Sequence, residues 1–131
     1  MRVLLFPIIT SLVCMSAFAD IDLAGFKWKN RVLVVLAPSE SDTQLKEQRA
    51  NDAAAAAGFS ERDLIEVAEI GAEGPLHRRF GIGISDFQVL LIGKDGHSAQ
   101  QWPKPVSSEV LYSVIDRMPM RREEMRRQKE G

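Results

Sequence analysis

Apolar residues along the chain fall in short runs divided by proline, glycine and capping residues, with strand-length and helix-length segments in alternation. Arg31 to Ala37 (RVLVVLA) is a nearly continuous Val-rich run, the pattern of a strand covered on both faces. Pro38 ends it. Ser41-Asp42-Thr43-Gln44 then has the spacing of a capping box, with Ser41 placed to accept from the third helical amide and Gln44 to reach back. The helix so opened runs through Leu45, Ala53, Ala54 and Ala57 to Gly58 as its C-terminal cap, and its alanines predict a close approach to a sheet. Leu64 to Ile70 is a second strand, joined to the first through that helix, which predicts a right-handed crossover and parallel pairing. Pro75 suits the first turn of a short helix that Gly81 stops. Phe87 to Ile92 is a third strand, Lys94-Asp95-Gly96 a tight turn, and His97 to Trp102 a weak fourth strand that completes a hairpin. Ser107 caps a last core helix. Val106 and Leu111 form its hydrophobic staple, and Val110, Leu111, Val114, Ile115 and Met118 its buried stripe. Leu23 to Lys29 is a short amphipathic lead-in.

The order is strand, helix, strand, helix, hairpin, helix. This predicts an α/β domain, a four-stranded mixed sheet with helices on both faces in the thioredoxin-like arrangement.

The segment before the lead-in changes the picture. Arg2, the mostly apolar run Val3 to Val13 and the small-x-small triplet Ala17-Phe18-Ala19 make a secretory signal, with cleavage between Ala19 and Asp20. The run is far short of the roughly 20 residues of a membrane span, and Val13 is too bulky before Cys14 for a lipidation site. The expected organisation is a signal peptide at 1–19 and one thioredoxin-like domain at 20–131, ending in a basic helical segment at 119–131. At 131 residues there is no room for a second core. Hydrophobic residues at 45 % exclude intrinsic disorder, and a formal charge of -1 gives no field that argues for nucleic acid. The one cysteine, Cys14, leaves with the signal. The expected location is periplasmic or secreted, with no membrane span after cleavage.

Several segments recur together in one family: Phe26-Lys27-Trp28-Lys29-Asn30-Arg31, Glu61-Arg62-Asp63-Leu64, Leu91-Ile92-Gly93-Lys94-Asp95-Gly96, and Ile115-Asp116-Arg117-Met118-Pro119-Met120-Arg121-Arg122-Glu123-Glu124-Met125-Arg126. The chain resembles the domain-of-unknown-function family 4174 of short secreted bacterial proteins. It is also similar to the C-terminal modules of animal matrix proteins such as the sushi-repeat-containing protein. The resemblance implies a peroxiredoxin-like, thioredoxin-fold domain. Such folds carry a reactive cysteine where the first strand meets the next helix, so that the helix N-terminus stabilises the thiolate. Here that junction is Pro38-Ser39-Glu40-Ser41-Asp42, without cysteine, and Ile84-Ser85-Asp86 stands where the fold has a proline before its third strand.

No catalytic set is expected. Ser39 or Ser41 with His77 or His97 supplies ingredients of acyl transfer, but a serine at a helix start is accounted for by capping. Two histidines twenty residues apart define no metal site, and no cofactor is expected. The candidate binding residues are Ser39, Ser41 and Asp42 in the junction, Arg31 and Arg62 flanking core strands, and Arg121, Arg122 and Arg126 in the tail. Pro119 breaks one helix and starts another, on which Met118, Met120 and Met125 would pack and Glu123 would pair with Arg127. Arg117, Arg121, Arg122, Arg126, Arg127 and Lys129 outnumber Glu123, Glu124 and Glu130 there, which suits an envelope or extracellular protein or an anionic polymer as partner. The function expected is an exported non-catalytic binding module. The alternative is a peroxiredoxin-like redox enzyme or accessory acting with a partner's thiol.

Overall fold

A computed structural model describes residues 23–71 and 73–130; the expected signal segment at 1–19, the expected cleavage between Ala19 and Asp20, and Cys14 lie outside the described residues. A 3₁₀ turn at Leu23–Phe26 leads into β1 (Arg31–Ala37), followed by α1 (Thr43–Ala54), α2 (Ala56–Glu61), β2 (Leu64–Ile70), α3 (Pro75–Phe80), β3 (Gln88–Ile92), β4 (Ser98–Trp102), α4 (Ser108–Ile115) and α5 (Pro119–Glu130). The sheet order is β2-β1-β3-β4, with β1 parallel to β2 and antiparallel to β3, and β3 antiparallel to β4. Every residue of β1 is buried. A strand buried on both faces cannot alternate polar and apolar residues, which is why RVLVVLA reads as one run.

The two faces of the sheet build two cores. Leu33, Val35 and Ala37 of β1 join Val89 and Leu91 of β3 under Leu45 of α1, Phe59 of α2 and Leu111 and Ile115 of α4. Val32, Val34 and Leu36 point the other way, with Leu90 and Ile92, against Leu76 of α3 and Leu23 of the leading turn. Each Val, Leu, Ile or Phe among them contributes roughly 1.5–3 kcal/mol by leaving water. The predicted caps of the later helices are present. Ser107 Oγ accepts from the Val110 amide at 3.3 Å, Val106 and Leu111 are both buried in one core, Pro75 opens α3, and Gly81 ends it at φ 67°.

The first helix departs from the expected pattern. Its N-cap is Asp42, whose Oδ1 accepts from the Gln44 amide at 3.4 Å, while the Ser41 hydroxyl lies 3.0 Å from that of Ser39. The face that α1 buries carries Leu45, Gln48 and Asp52, and Ala53, Ala54 and Ala57 are exposed. Gln48 can be inside because it satisfies both backbone groups of Val106, in the loop before α4. Its Nε2 donates to the Val106 carbonyl at 3.2 Å and its Oε1 accepts from the Val106 amide at 2.7 Å. The helix breaks at Ala55 and restarts, so Gly58 lies inside α2 and caps nothing. In α4, Leu111 and Ile115 are buried, Val114 is half-buried and Val110 is exposed; Met118, half-buried, lies beyond the end of the helix.

Gly58 is needed for space. A Cβ there would fall inside the Tyr112 ring and hydroxyl. Tyr112 cannot yield readily, because its hydroxyl donates to the Ala55 carbonyl at 3.1 Å and the Arg62 guanidinium stacks on its ring at 3.8 Å. Helix propensity alone would make Gly58→Ala stabilising by about 1 kcal/mol. Overpacking makes it destabilising, by about 1–3 kcal/mol, measured as a lower urea midpoint at unchanged slope.

Candidate functional site

Two ends of β1 matter for chemistry. At its C-terminal end lies the junction Pro38 to Asp42. Asp42 takes the first-turn amide itself, Glu40 pairs with Arg49 at 2.6 Å, and Ser39 and Ser41 share a hydrogen bond. Negative charge there disfavours an anionic nucleophile. Among the described residues, no hydrogen bond joins either serine to a histidine. His77 is buried on α3, its Nδ1 2.6 Å from Glu69 Oε1, and His97 is exposed beside Asp95. Glu69 also accepts the Leu76 and His77 amides at 3.1 and 2.8 Å, so it serves as the cap of α3. Burial opposes its charge, but those hydrogen bonds outweigh burial and hold its carboxyl below the ordinary range.

At the other end of β1 the candidate arginines converge on a mostly buried ionic cluster. Arg31, the first residue of β1, is 1 % exposed. Its Nη1 donates to the Arg62 carbonyl at 2.8 Å and to Glu124 Oε1 at 3.1 Å, and its Nη2 to Glu124 Oε2 at 2.9 Å. Lys94, from the hairpin turn, donates to the same Glu124 Oε2 at 3.1 Å and to Asp63 Oδ2 at 2.9 Å. Arg62 grips Asp116 through two bonds of 3.0 Å. Arg121, also 1 % exposed, donates to Asp116 Oδ1 at 3.1 Å and to the carbonyl and carboxylate of Glu61, each at 3.3 Å. Burial opposes ionisation of Asp116 and Glu124, but the hydrogen bonds from Arg62 and Arg121 on the first and from Arg31 and Lys94 on the second hold both carboxyls low.

The tail is therefore not a uniform basic arm. Arg121 is consumed inside the protein, and Arg126 pairs with Glu123 and Glu130 along α5. Arg127 reaches Glu123 at 3.4 Å, and Arg122 is exposed. Met118 packs on the core, Met125 is half-buried, and Met120 is exposed. Arg31, Arg62 and Arg121 meet in one cluster; Ser39, Ser41 and Asp42 stand at the opposite end of β1, and Arg122 and Arg126 face outward. Sequence reasoning did not single out Lys94, Asp116 and Glu124 as partners, although all three lie inside the segments that carry the family resemblance.

A second unforeseen group lines a surface cleft of about 540 Å³ over α1, α2 and β2. Glu66 and Asp52 face each other there across the α1–β2 contact, with Arg49 beside them. Asp52 is 8 % exposed and its Oδ1 accepts from Gln48 at 2.9 Å. Burial first, then the hydrogen bond and charge of Asp52, push the Glu66 carboxyl up to about 8, and burial raises Asp52 as well. Among the described residues, no three His, Cys, Asp or Glu side chains are grouped to hold a metal ion, and no helix is long and apolar enough to cross a membrane.

The sequence profile of the domain of unknown function DUF4174 matches residues 22–124. The chain belongs to this family. The matched region ends at Glu124, the residue that closes the cluster on Arg31 and Lys94. Among curated proteins, coiled-coil domain-containing protein 80 of Danio rerio is 26 % identical in an alignment 133 positions long that covers 79 % of this chain and 15 % of that protein. Among solved structures, the reduced 2-Cys peroxiredoxin of Plasmodium vivax superposes with a TM-score of 0.62 at 12 % identity, over 77 % of this chain and 84 % of that one. The DUF4174 chain thus has the peroxiredoxin-like, thioredoxin-like α/β fold.

Unfolding measurements probe both groups. Glu124→Ala leaves the buried Arg31 without its carboxylate and is expected to cost about 3–5 kcal/mol in urea unfolding, whereas Arg126→Ala, on the exposed side of α5, leaves the midpoint where it was. The second measurement concerns pH. Glu66 keeps its proton in the folded state up to about pH 8, while the unfolded chain releases it near 4.5. Its contribution is therefore full below pH 4.5 and is lost as pH rises through 8. Urea midpoints taken from pH 5.5 to about 8.5 should fall in the wild type, and Glu66→Gln should flatten that decline.

Proposed function

We propose that this DUF4174 domain is an exported, non-catalytic binding or interaction module, a thioredoxin-like scaffold used without a redox group. The observation that carries the reading is the junction after β1. Where the fold's thiol enzymes place cysteine, this chain has Ser39, Glu40, Ser41 and Asp42, with the helix amide taken by Asp42 and Glu40 tied to Arg49. The one cysteine of the sequence, Cys14, belongs to the segment with the signal-peptide pattern. Export rests on that pattern, and cleavage before Asp20 would leave the domain in the periplasm or outside the cell. The partner class that fits is an envelope or extracellular protein or an anionic polymer, met by the exposed Arg122, Arg127 and Lys129 and the junction loop. The peroxiredoxin-like fold supports a second reading, an accessory that works with a partner's thiol.

A peroxidase assay separates the two. Protein spanning 20–131, mixed with hydrogen peroxide and a dithiol, is expected to consume peroxide no faster than buffer. Turnover that scales with protein concentration would overturn the binding-module reading. Turnover that appears only when a thiol protein from the envelope fraction is added would favour the accessory.

A further inference from the structure

Trp28 stands where neither the core nor the backbone asks for an indole. Its side chain is 61 % exposed, and its φ of 69° lies in the left-handed region that glycine or asparagine enters more readily. The bonds that hold this turn are main-chain bonds. The Trp28 amide donates to the Lys94 carbonyl at 2.7 Å, and the Lys29 and Asn30 amides donate to the Phe26 carbonyl at 2.9 and 2.8 Å. Any residue with an amide could make them, so the strain at Trp28 is explained by what its ring does in solvent. The charges beside the ring are unspent. Lys27 Nζ lies 5.4 Å from the ring centroid, and the Lys27 stem runs over the β3–β4 turn, 3.6 Å from where a Cβ on Gly96 would stand. Lys27 also lines a recess of about 270 Å³, which Arg79 of α3 and His97 border from the facing elements. Lys27, Lys29 and Arg79 are exposed, and among the described residues no carboxylate pairs with any of them. The recess has one acid, Asp95, and it is engaged: its Oδ1 accepts from the His97 amide at 3.0 Å and its Oδ2 lies 3.6 Å from His97 Nδ1.

We propose that Trp28 and this recess bind an acidic sugar unit of a polysaccharide, its ring stacked on the indole and its carboxylate in the recess with Lys27 and Arg79. A pyranose turns a face of C–H groups toward the negative π-face of an indole while its hydroxyls stay in water. The carboxylate supplies the counter-charge that Lys27 and Arg79 lack. Both features are needed to name the ligand. An acidic peptide brings the charge without the flat face, and a lipid surface calls for apolar neighbours where Trp28 has an exposed lysine on either side. The site gives a ligand class to the binding-module reading and rests on it, through residues other than Arg122, Arg127 and Lys129.

The test is an NMR titration of the isotope-labelled protein with a short oligogalacturonate, following the Trp28 indole N–H and the Gly96 and His97 amides. A neutral oligoglucose, polyglutamate and phosphatidylglycerol vesicles are the parallel arms. Saturable shifts of all three signals are expected with the oligogalacturonate, half-complete at a concentration on the order of 1 mM. Trp28→Asn, read through the two amides, should raise that concentration at least about tenfold, equivalent to about 1.4 kcal/mol, with a urea midpoint no lower than that of the wild type. Arg79→Gln should raise it about fivefold at low salt. Shifts that do not saturate, or binding kept in Trp28→Asn, would overturn the site, and so would a lower urea midpoint in that variant, which would give the indole a structural reason. Equal saturation by the oligoglucose would overturn the need for acid, and equal saturation by polyglutamate the need for a sugar. A response to the vesicles alone would overturn the ligand class in favour of a membrane surface. Oligogalacturonate binding lost in Arg122→Gln with Arg127→Gln, but kept in Trp28→Asn, would overturn this site while the binding-module reading stands, whereas peroxide turnover bears on that reading alone.

Discussion

A charged side chain that opens a fully buried strand sets the terms for much of this molecule. Arg31 cannot lose its charge, and inside the protein that charge needs a carboxylate in direct contact. The carboxylate that meets it, Glu124, is 93 residues away in sequence. The chain must therefore return across the N-terminal end of the sheet after its last core helix, and Pro119 makes the corner from which α5 starts. Lys94 binds the β3–β4 turn into the same contact, Asp63 adds the start of β2, and Arg62 with Asp116 adds the end of α4. Four distant parts of the sequence are registered against one another by ion pairs whose geometry leaves little slack.

The sheet is thus unequal at its two ends. Its N-terminal end, as defined by β1, holds interlocked cations and anions with an adjoining recess. Its C-terminal end has a short loop and a self-capped helix, at the place where related folds hold their reacting group. A scaffold keeps its shape for reasons of packing even when a single residue type is changed at the reactive position. In this chain, the candidate arginines Arg31, Arg62 and Arg121 all lie at the ionic end.

The strands, the hairpin and the caps at Pro75, Gly81 and Ser107 were legible in the sequence, because each depends on its immediate neighbours. The features that were not legible depend on distant ones. Gln48 and Asp52 look like solvent-facing residues until the Val106 peptide and Glu66 arrive to satisfy them. The alanines of α1 look like a packing face, but the buried stripe is set by what the helix meets. Gly58 looks like a terminator, and only the Tyr112 ring 54 residues later explains it. Arg121 and Arg122 are adjacent and chemically identical, yet one is inside and the other outside. Helical phase separates them, and that phase is fixed by Asp116 and Glu61.

The last helix is docked mainly by charge. Arg121 is the one residue of α5 that is fully buried, and most of the remaining positions are polar and exposed. Little apolar surface couples α5 to the sheet, so its place is held by the ion pairs that Arg121 and Glu124 make with Asp116, Arg31 and Lys94. Acid that neutralises Asp116 and Glu124 therefore acts on the whole fold, because it weakens the docking of α5 and leaves the buried Arg31 without its counter-charge. The domain thus joins two kinds of contact whose strength answers to different conditions: a sheet held by close apolar packing and a terminal helix held by charge.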